Sequence, residues 1–402
     1  MMKHYPYLMI GGGMTAHAAV QGIREVDPNR PIGLFSTEIY PPYRRPPLTK
    51  ALWTGKPLES IWLQGMDENV DLHLGQRIVS IDPHRKEAQD EKGQVYGYGQ
   101  ALLATGVTPR RLPFGEERVV YFRDLDDYQQ LRSFTGLGKR FAIIGGGFIG
   151  SELAAALALN GEKVTLIFPE PGLGARIFPP DLSDFLTDIY RQKGVEMFPG
   201  QVVKGIEDQG RRLQIITASG EVILADHVVA GIGTLPNTAL AEMAGLTLDN
   251  GIIVDETLRT SQPDIFAAGD VARFFNPALG VRMRLEHKDN ALTMGRYAGR
   301  NMALQAAAGQ LEPYDYLPVF YSDMFDLGYE AVGELDSRLE MISDWQKPFR
   351  KGVVYYLKAG RVRGVLLWNV WDQVESARQL IARPGPVKIG DLQASSLNPV
   401  HP

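Results

Sequence analysis

The sequence contains no cysteine among its 402 residues. This absence excludes disulfide bonds, metal sites built from thiolates, and every catalytic route that passes electrons through a pair of thiols. A reductase that works through a redox-active thiol pair is therefore excluded. The sequence also offers no other pattern typical of a metal site, and none is expected.

Long apolar runs are missing as well. The longest apolar stretches, such as residues 153–159, are far shorter than the roughly 20 residues that a membrane-spanning helix needs. Apolar residues 7–10 are too few for the core of a signal peptide and lead directly into a glycine turn. We therefore expect a soluble, cytoplasmic protein with no membrane span.

Positive charge is not in excess, because 42 Lys and Arg residues stand against 47 Asp and Glu residues, which gives a net charge of -5. No global basic field attracts nucleic acid or anionic lipid, so neither is expected as a partner. The fractions of hydrophobic residues (44%) and charged residues (22%) are those of a globular protein, and the length suffices for two or three domains.

One pattern occurs twice in the chain: an apolar strand, a glycine-rich turn, a helix of small residues and a second apolar strand. We call GGGMTA (residues 11–16) the first glycine turn and GGGFIG (residues 145–150) the second glycine turn. Each unit reads as βαβ, which predicts parallel sheets with helices on their faces. The positions expected to contact a ligand are Gly11, Gly13 and Ala16 in the first turn, and Gly145, Gly147, Phe148, Ile149 and Gly150 in the second.

Such turns are typical of dinucleotide sites, because glycines let the backbone approach a pyrophosphate at the start of a helix. A single turn of this kind could serve packing alone, but here the strand, the helix and a later acid all occur twice. The acids are Glu38 and Glu170, expected to bind ribose hydroxyls; the alternative is that both are solvated loop residues. Glu170 favours NADH over NADPH, and nearby Arg176 weakens that preference.

The order of elements predicts an α/β fold with two Rossmann-like domains, the second inserted into the first, followed by a C-terminal α+β domain. The expected bounds are 1–110 and 236–312 for the first domain, 111–235 for the second, and 313–402 for the third. Helices are expected at about 289–308 and 372–382, and strands at 317–321, 353–357 and 364–368. The tail after Pro384 is expected to be irregular.

Several motifs resemble the glutathione-reductase-type flavoproteins, in particular the branch of ferredoxin and rubredoxin reductases and apoptosis-inducing factor. They are YRRPPLTK (43–50), ATG (104–106), the second glycine turn with its following Ser-Glu, and AGD (268–270). Three further stretches are similar to apoptosis-inducing factor: LIFPE (166–170), FYSD (320–323) leading to GYEAVG (328–333), and GVLLWN (364–369). The resemblance covers nearly the whole chain.

The resemblance implies that FAD occupies the first domain and NAD(P)H the second. It places Lys50 beside the flavin ring, paired with Glu152, and His287 near the ring; these three are the expected catalytic residues. The other cofactor contacts that it implies are Arg45, Thr105, Gly106, Gly233, Gly269, Asp270, Glu286, Tyr321 and, near the nicotinamide, Glu330.

Elementary electrostatics favours the pairing of Lys50 with Glu152, because a buried lysine needs a partner and a cation near the flavin stabilises its reduced form. The alternative is an ordinary surface ion pair. His17 could in principle contact a pyrophosphate, but we expect it to be a helix residue at the domain surface.

Two departures from the family pattern limit what can be carried over. Tyr321 stands where this branch usually has Trp, which puts in doubt an electron route through that indole. Thr247 and Ile253 stand where apoptosis-inducing factor has the residues that pair across its dimer. A similar dimer is therefore not expected, although a homodimer of another kind remains open.

The expected activity is that of an FAD-dependent NAD(P)H:acceptor oxidoreductase, with hydride passing from NADH to flavin N5 and electrons then to an acceptor. A ferredoxin or rubredoxin is the first candidate for the acceptor, and a quinone or dioxygen the second. The alternative is an NADH-responsive redox sensor, similar to apoptosis-inducing factor, with slow NADH oxidase or quinone reductase activity.

Overall fold

The computed structural model describes residues 2–136 and 138–388, together with Gly390, Leu392 and Leu397. The tail that was expected to be irregular lies largely outside the described residues.

The described part of the chain forms seven α-helices, 25 strands and five short 3-10 helices. The α-helices are α1 (Met14–Arg24), α2 (Leu125–Ser133), α3 (Phe148–Leu159), α4 (Pro180–Gln192), α5 (Ala239–Met243), α6 (Lys288–Ala306) and α7 (Val374–Ala382). The 3-10 helices are Pro46–Leu48, Ala51–Thr54, Leu58–Ile61, Glu116–Arg118 and Gly269–Val271. The strands are β1 (Lys3–Ile10), β2 (Ile32–Phe35), β3 (Val70–His73), β4 (Ile78–Asp82), β5 (Glu87–Asp90), β6 (Val95–Leu103), β7 (Val107–Pro109), β8 (Val119–Tyr121), β9 (Arg140–Ile144), β10 (Lys163–Phe168), β11 (Glu196–Pro199), β12 (Val203–Asp208), β13 (Leu213–Thr217), β14 (Val222–Ala225), β15 (His227–Ala230), β16 (Thr234–Pro236), β17 (Ile252–Ile253), β18 (Ile265–Ala267), β19 (Ala272–Asn276), β20 (Val281–Met283), β21 (Val319–Met324), β22 (Leu327–Gly333), β23 (Glu340–Lys347), β24 (Lys351–Lys358) and β25 (Arg361–Trp368).

The chain divides into two compact units. Unit 1 comprises the described residues of Met1–Arg45, Glu59–Thr108 and Leu235–Pro318. Its main sheet has the order β3-β2-β1-β6-β5-β4, with β18 also paired to β6. Strands β1, β2, β3, β6 and β18 are parallel, whereas β5 pairs antiparallel with both β6 and β4.

Helices α1 and α6 of unit 1 pack closely because glycines stand at their contact. A β-carbon on Gly299 would lie 2.0 Å from the carbonyl oxygen of Ala19, and one on Gly295 would lie 2.3 Å from that of Thr15. No larger residue fits at either position without moving the backbone. The two helices therefore form a tightly packed layer of unit 1.

Unit 2 comprises the described residues of Pro46–Leu58, Pro109–Thr234 and Val319–Pro402. It contains a parallel sheet of order β11-β10-β9-β15-β8, an antiparallel sheet β12-β13-β14, and an antiparallel sheet β21-β22-β25-β24-β23. Helix α7 packs on β22 and β25.

The expected fold class is confirmed: two parallel βαβ folds, one inserted into the other, and a C-terminal α+β region. The chain leaves unit 1 after Thr108 and returns at Leu235, close to the expected boundaries. The division into three domains stays a prediction, since the two units group the C-terminal region and residues 46–58 with the inserted fold.

Helix α6 ends at Ala306 and α7 begins at Val374, two residues inside the expected limits in each case. The expectation omitted β22, β23 and the sheet β12-β13-β14 as strands. Among the described residues, no helix is both long and apolar enough to cross a membrane. The same residues contain no group of three or more side chains placed to hold a metal ion.

Candidate functional site

In unit 1 the carboxyl ends of four parallel strands meet at one edge of the sheet. Ile10 is level with both Phe35 and Leu103, and Leu103 is level with Ala267. The segments that follow these strands therefore share that edge, which is where ligands of open α/β sheets bind. They are the first glycine turn, the loop that reaches Glu38, residues 104–106, and residues 268–270.

The first glycine turn has the geometry expected from its sequence. Gly11 has a φ of +121°, and a β-carbon there would lie 2.1 Å from the carbonyl oxygen of Ala104. Gly13 is the N-cap of α1, and a β-carbon on it would meet no atom within 4 Å. Ala16, in the third position, is fully buried. The N-cap of α1 therefore has open space beside it and no side-chain cap, which leaves room for a pyrophosphate at the start of the helix.

Glu38 is held by two neighbours from the proline-rich loop. The hydroxyl of Tyr43 donates to Glu38 Oε2 at 2.5 Å, and the Arg45 guanidinium forms an ion pair with Glu38 Oε1. The side chains of Arg45 and Glu38 are 21% and 22% exposed. The structure therefore brings together two predicted FAD contacts, and the buried hydroxyl of Tyr43, which the prediction did not include, orients the acid.

Thr105 and Gly106 are fixed by Asn237, a residue that the sequence analysis missed. The Thr105 hydroxyl donates to the Asn237 carbonyl at 2.8 Å, and the Asn237 side-chain amide donates back to the Thr105 carbonyl at 2.8 Å. The Asn237 N–H donates to the Gly106 carbonyl at 3.0 Å. The signal in the sequence was a polar residue directly after Pro236, where the chain returns to unit 1.

The turn that carries Gly269 and Asp270 also needs glycine, because Gly269 has a φ of +77° and its β-carbon would lie 2.3 Å from Thr15 Oγ1. The Gly269 N–H donates to the thioether sulfur of Met294, on α6, at 3.3 Å. This turn, which carries Asp270, thus contacts both α1 and α6.

Glu286 and His287 lie immediately before α6, with His287 as its N-cap. Arg284 donates to Glu286 Oε1 at 2.7 Å and to the Asp270 carbonyl at 3.0 Å, which ties these two predicted positions together. Desolvation lowers the pKa of His287 to about 4, so the imidazole is neutral near pH 7.

The expected surface position of His17 was wrong. The side chain is buried, with 3% exposed, and its Nε2 lies 2.8 Å from the carbonyl oxygen of Gln64. Burial lowers the pKa of His17 below its usual value, with the Arg44 charge acting in the same direction. The loop around Gln64 covers this face of α1, a long-range contact that helical periodicity does not reveal.

The second glycine turn repeats the first in unit 2. Gly145 has a φ of +110°, and its β-carbon would lie 2.3 Å from the carbonyl oxygen of Gly231. Gly147 is the N-cap of α3, and a β-carbon on it would meet no atom within 4 Å. On Gly150 it would lie 1.9 Å from the Gly145 carbonyl oxygen. The next two predicted contacts, Phe148 and Ile149, begin α3, with the Phe148 side chain exposed.

The carboxyl ends of β9, β10 and β15 meet at this edge of the second parallel sheet, and Glu170 and Gly233 follow two of them. Arg176 Nη2 lies 2.5 Å from Glu170 Oε1. Gly233 has a φ of +90°, and its carbonyl accepts from the Arg110 N–H at 2.9 Å. The structure thus pairs Glu170, which was predicted to bind the ribose, with Arg176, which was expected to weaken the preference for NADH.

Lys50 and Glu152 form an ion pair inside unit 2, and their side chains are 15% and 8% exposed. The pair is therefore not the ordinary surface ion pair considered as an alternative. Glu152 also accepts from Thr49 Oγ1 at 2.6 Å and from Ser322 Oγ at 2.5 Å. Three donors from two chain segments satisfy this buried carboxylate, and two of the donors, Thr49 and Ser322, were not foreseen.

Tyr321 and Glu330 lie directly opposite each other on β21 and β22. Lys50 Nζ lies 5.5 Å from the centre of the Tyr321 ring. Glu330 Oε2 is buried and has no hydrogen-bond partner in the described structure, and burial raises the pKa of Glu330. A buried acceptor without a donor is costly unless a ligand supplies one, which fits a contact to an amide N–H group.

These features fit two dinucleotides. Both helices α1 and α3 begin with open space in front of their N-cap glycine, and each turn has an acid beyond the next strand. Residues 5–295 match the family model described as pyridine nucleotide-disulphide oxidoreductase. The chain belongs to this family. Residues 343–383 match the C-terminal model of mitochondrion-associated apoptosis-inducing factor.

The chain is 32% identical to apoptosis-inducing factor 1, mitochondrial, of Dictyostelium discoideum, across 95% of this chain and 79% of that protein. It is 31% identical to the 3-phenylpropionate/cinnamic acid dioxygenase ferredoxin--NAD(+) reductase component of Photorhabdus laumondii, across 97% of this chain and 99% of that protein. A chain of the covalent putidaredoxin reductase–putidaredoxin complex superposes with a TM-score of 0.89 at 29% identity. The superposition covers 98% of this chain and 96% of that chain.

This pyridine nucleotide oxidoreductase binds FAD and NAD(H) and transfers electrons from the nicotinamide through the flavin to an acceptor. The family name includes disulphide chemistry, but the absence of cysteine removes the thiol pair that such chemistry requires. The contributions of the individual site residues remain predictions.

Proposed function

We propose that this chain is an NADH:ferredoxin reductase, which accepts two electrons from NADH and delivers them singly to a small iron–sulfur protein. The observation that carries the proposal is the presence of two complete dinucleotide turns in a chain without cysteine. Electrons that reach the flavin have no thiol relay to enter, so an external carrier must take them. The ferredoxin reductase relatives support an iron–sulfur protein as that carrier.

FAD, when bound, supplies the redox chemistry, and the protein supplies binding, orientation and electrostatics. We assign the first glycine turn, Glu38 and Arg45 to holding FAD, and the second glycine turn and Glu170 to holding NADH. Glu152 forms an ion pair with the Lys50 ammonium and offsets the cost of placing this side chain in a partly buried position. Glu330 offers its buried carboxylate oxygen to the nicotinamide amide group.

Anaerobic titration with NADH, followed by the flavin absorbance, tests the first half of this proposal. One equivalent of NADH is expected to bleach the flavin. Ferredoxin, rubredoxin, a quinone and air are then offered separately to the reduced protein. Rapid reoxidation by ferredoxin supports the proposal, whereas equal rates with every acceptor, or a flavin that NADH does not bleach, contradict it.

The match of residues 343–383 to apoptosis-inducing factor favours a second candidate, an NADH-responsive redox sensor with slow oxidase or quinone reductase activity. This function predicts a reduced form that persists in air and with every carrier, together with a change in oligomeric state on reduction. Light scattering before and after addition of NADH distinguishes the two candidates and also tests the open question of a homodimer.

We also propose a cytoplasmic location, because NADH, the proposed electron donor, is a cofactor of intracellular metabolism. Fractionation of cells that produce the protein, with detection in the soluble fraction, tests this location.

A further inference from the structure

A tryptophan, Trp371, lies in the loop of residues 369–373 between β25 and α7, and it is 48% exposed. Asn369 fixes the start of this loop to β22. Its N–H donates to the Gly328 carbonyl at 2.8 Å, and its Oδ1 accepts from the Gly328 N–H at 2.8 Å. The Asn369 side-chain amide also donates to the Arg350 carbonyl at 2.9 Å. The fixed backbone of the loop, rather than burial of the indole, therefore determines where Trp371 lies.

The indole rests on Gly328, in the space that a side chain would occupy there. A β-carbon on Gly328 would lie 2.9 Å from Cη2 and 3.2 Å from Cζ2 of Trp371. Gly328 lies within strand β22 and its φ is not positive, so its backbone conformation does not require glycine. The glycine is needed because the indole takes the room beside it.

Glu330 lies on the same face of β22 as the indole. Side chains two residues apart on a strand point to the same face of the sheet, so Glu330 shares the face of Gly328. Tyr321 and Asp323, which lie directly opposite on β21, complete this face. Burial raises the pKa of Glu330, and the charge of Asp372, in the loop, acts in the same direction. The loop that carries the indole therefore also lies close to the Glu330 carboxyl group.

The charges on this face are mainly negative. Glu330, Asp323 and Asp372 carry carboxyl groups. The neighbouring cation, Lys50, has its own counter-ion in Glu152 and lies 3.8 Å from Asp323. The face of an indole also attracts cations, more strongly than the ring of any other side chain. A flat cationic ring that bears an amide fits this site, because its N–H can donate to the buried Glu330 Oε2 while the ring lies against the indole.

The nicotinamide ring has this chemistry, and only its oxidised form is positively charged. We propose that Trp371 is a binding residue for the nicotinamide ring, and that it holds the cationic ring of NAD+ more tightly than the neutral ring of NADH. Trp371 thus retains the product of hydride transfer. The inference rests on the assignment of Glu330 to the nicotinamide amide group in the proposed function, and it deepens that assignment by adding a contact to the ring.

The test measures, by calorimetry on the FAD-loaded protein, the binding of NAD+ and of 1,4,5,6-tetrahydro-NAD, a neutral analogue that does not transfer hydride. The variants are Trp371→Ala, Trp371→Phe, Gly328→Ala, Glu330→Gln and the double variant of Trp371→Ala with Glu330→Gln. Trp345→Ala is the matched control. Trp345 also rests on a glycine of this sheet, since a β-carbon on Gly352 would lie 2.7 Å from its Cε3, but it lies on β23 at the opposite edge from β21. Thermal unfolding and FAD content verify that each variant is folded.

Trp371→Ala is expected to weaken NAD+ binding about threefold to tenfold, and tetrahydro-NAD binding by at most about twofold. Trp371→Phe should keep part of the NAD+ affinity, because a phenyl ring attracts cations less strongly than an indole. Gly328→Ala should reproduce the loss, since its β-carbon displaces the indole, and Trp345→Ala should leave both affinities unchanged. In the double variant the loss should be smaller than the sum of the single losses, because one ring makes both contacts.

The inference is overturned if Trp371→Ala binds NAD+ as tightly as the unchanged chain does, or if it loses affinity equally for both compounds. These measurements involve neither flavin reduction nor an acceptor, so the inference can fail while ferredoxin reduction stands. Conversely, lack of reoxidation by ferredoxin leaves the NAD+ measurements valid. An unchanged chain that binds neither compound contradicts both the inference and the NADH-oxidising half of the proposed function.

Discussion

The two glycine turns begin in the same way and differ in how they are completed. Gly11 and Gly145 have similar positive φ values, and each would clash with a carbonyl oxygen if it carried a side chain. In the third position the second turn has Gly150, which packs against its own Gly145. The first turn has Ala16, and the close approach is made instead between α1 and α6, through Gly295 and Gly299.

The acids beyond the two turns also differ in the side chains that hold them. Glu38 is held by Tyr43 and by Arg45, which is 21% exposed, whereas Glu170 is held by an arginine that is 79% exposed. The two acids themselves are similarly exposed, at 22% and 19%, so the difference lies in the arginine that pairs with each. We expect the first turn to serve the cofactor that stays and the second turn the cofactor that exchanges.

The largest expected effect is that substitutions in the two glycine turns weaken the binding of different ligands. Because a β-carbon on Gly13 or Gly147 enters open space, Gly13→Ala and Gly147→Ala should fold normally but obstruct a pyrophosphate. Gly13→Ala should weaken FAD binding by about 10- to 100-fold, and Gly147→Ala should weaken NADH binding to a similar degree while FAD is retained. FAD content and NADH affinity measure this; Gly205→Ala, also in open space, is the control. Equal FAD loss in both variants would contradict separate roles.

A smaller effect, on stability, is expected at Glu152, whose counterpart in the first βαβ unit is Ala18. Glu152→Ala removes the acceptor of three donors and leaves the Lys50 charge partly buried, so unfolding in urea should require about 3 kcal/mol less free energy. Ser322→Ala removes one donor and should cost about 1 kcal/mol. If the two variants were equally stable, Glu152 would not be the centre of this cluster.

The smallest expected effect is a difference between the units in their response to acid. The pKa of His17 is lowered in the folded state, so stability is lost as pH falls below about 6.5 and the unfolded chain binds the proton. In unit 2, burial and the charge of Asp124 raise the pKa of Asp127 to about 6, so stability increases as pH falls through that value. FAD should be released on acidification before α2 melts.

Two variants check this assignment. His17→Gln keeps a donor for the Gln64 carbonyl but does not titrate, so it should move FAD release to lower pH. Asp127→Asn should raise the melting temperature more at pH 7.5 than at pH 5. An unchanged pH profile for His17→Gln would show that another group controls the acid response.

The family resemblance supplied the pairing of Lys50 with Glu152, whereas local sequence patterns predicted the repeated βαβ units and the insertion. They succeeded because each unit is a short segment whose strand, turn and helix follow one another directly. The third domain was predicted less completely. Strand β22 pairs with β25, which is distant in sequence, and β23 was missed although it forms a local hairpin with β24.

Within the site, the hydrogen-bond partners that were not predicted are distant in sequence from the residues they contact. Ser322 is 170 residues from Glu152, Asn237 is 132 from Thr105, and Gln64 is 47 from His17. Hydrogen bonds across such separations depend on the packing of whole elements, and the spacing of residue types does not encode them. The partner of a buried polar residue was therefore predicted only where a family resemblance supplied it.

The Ser337 N–H donates to the Arg176 carbonyl at 2.9 Å and the Tyr356 hydroxyl donates to the Ile177 carbonyl at 2.5 Å, and these bonds bear on the modularity of the chain. The C-terminal region supports the loop that carries Glu170 and Arg176, the residues expected to bear on coenzyme preference, although it lies more than 150 residues downstream of that loop in sequence. Exchanging this region between relatives, as if it were an independent cassette, would replace part of the framework behind the ribose site. We therefore expect such an exchange to disturb the loop of Glu170 unless the Tyr356 hydroxyl and the backbone N–H at position 337 were kept.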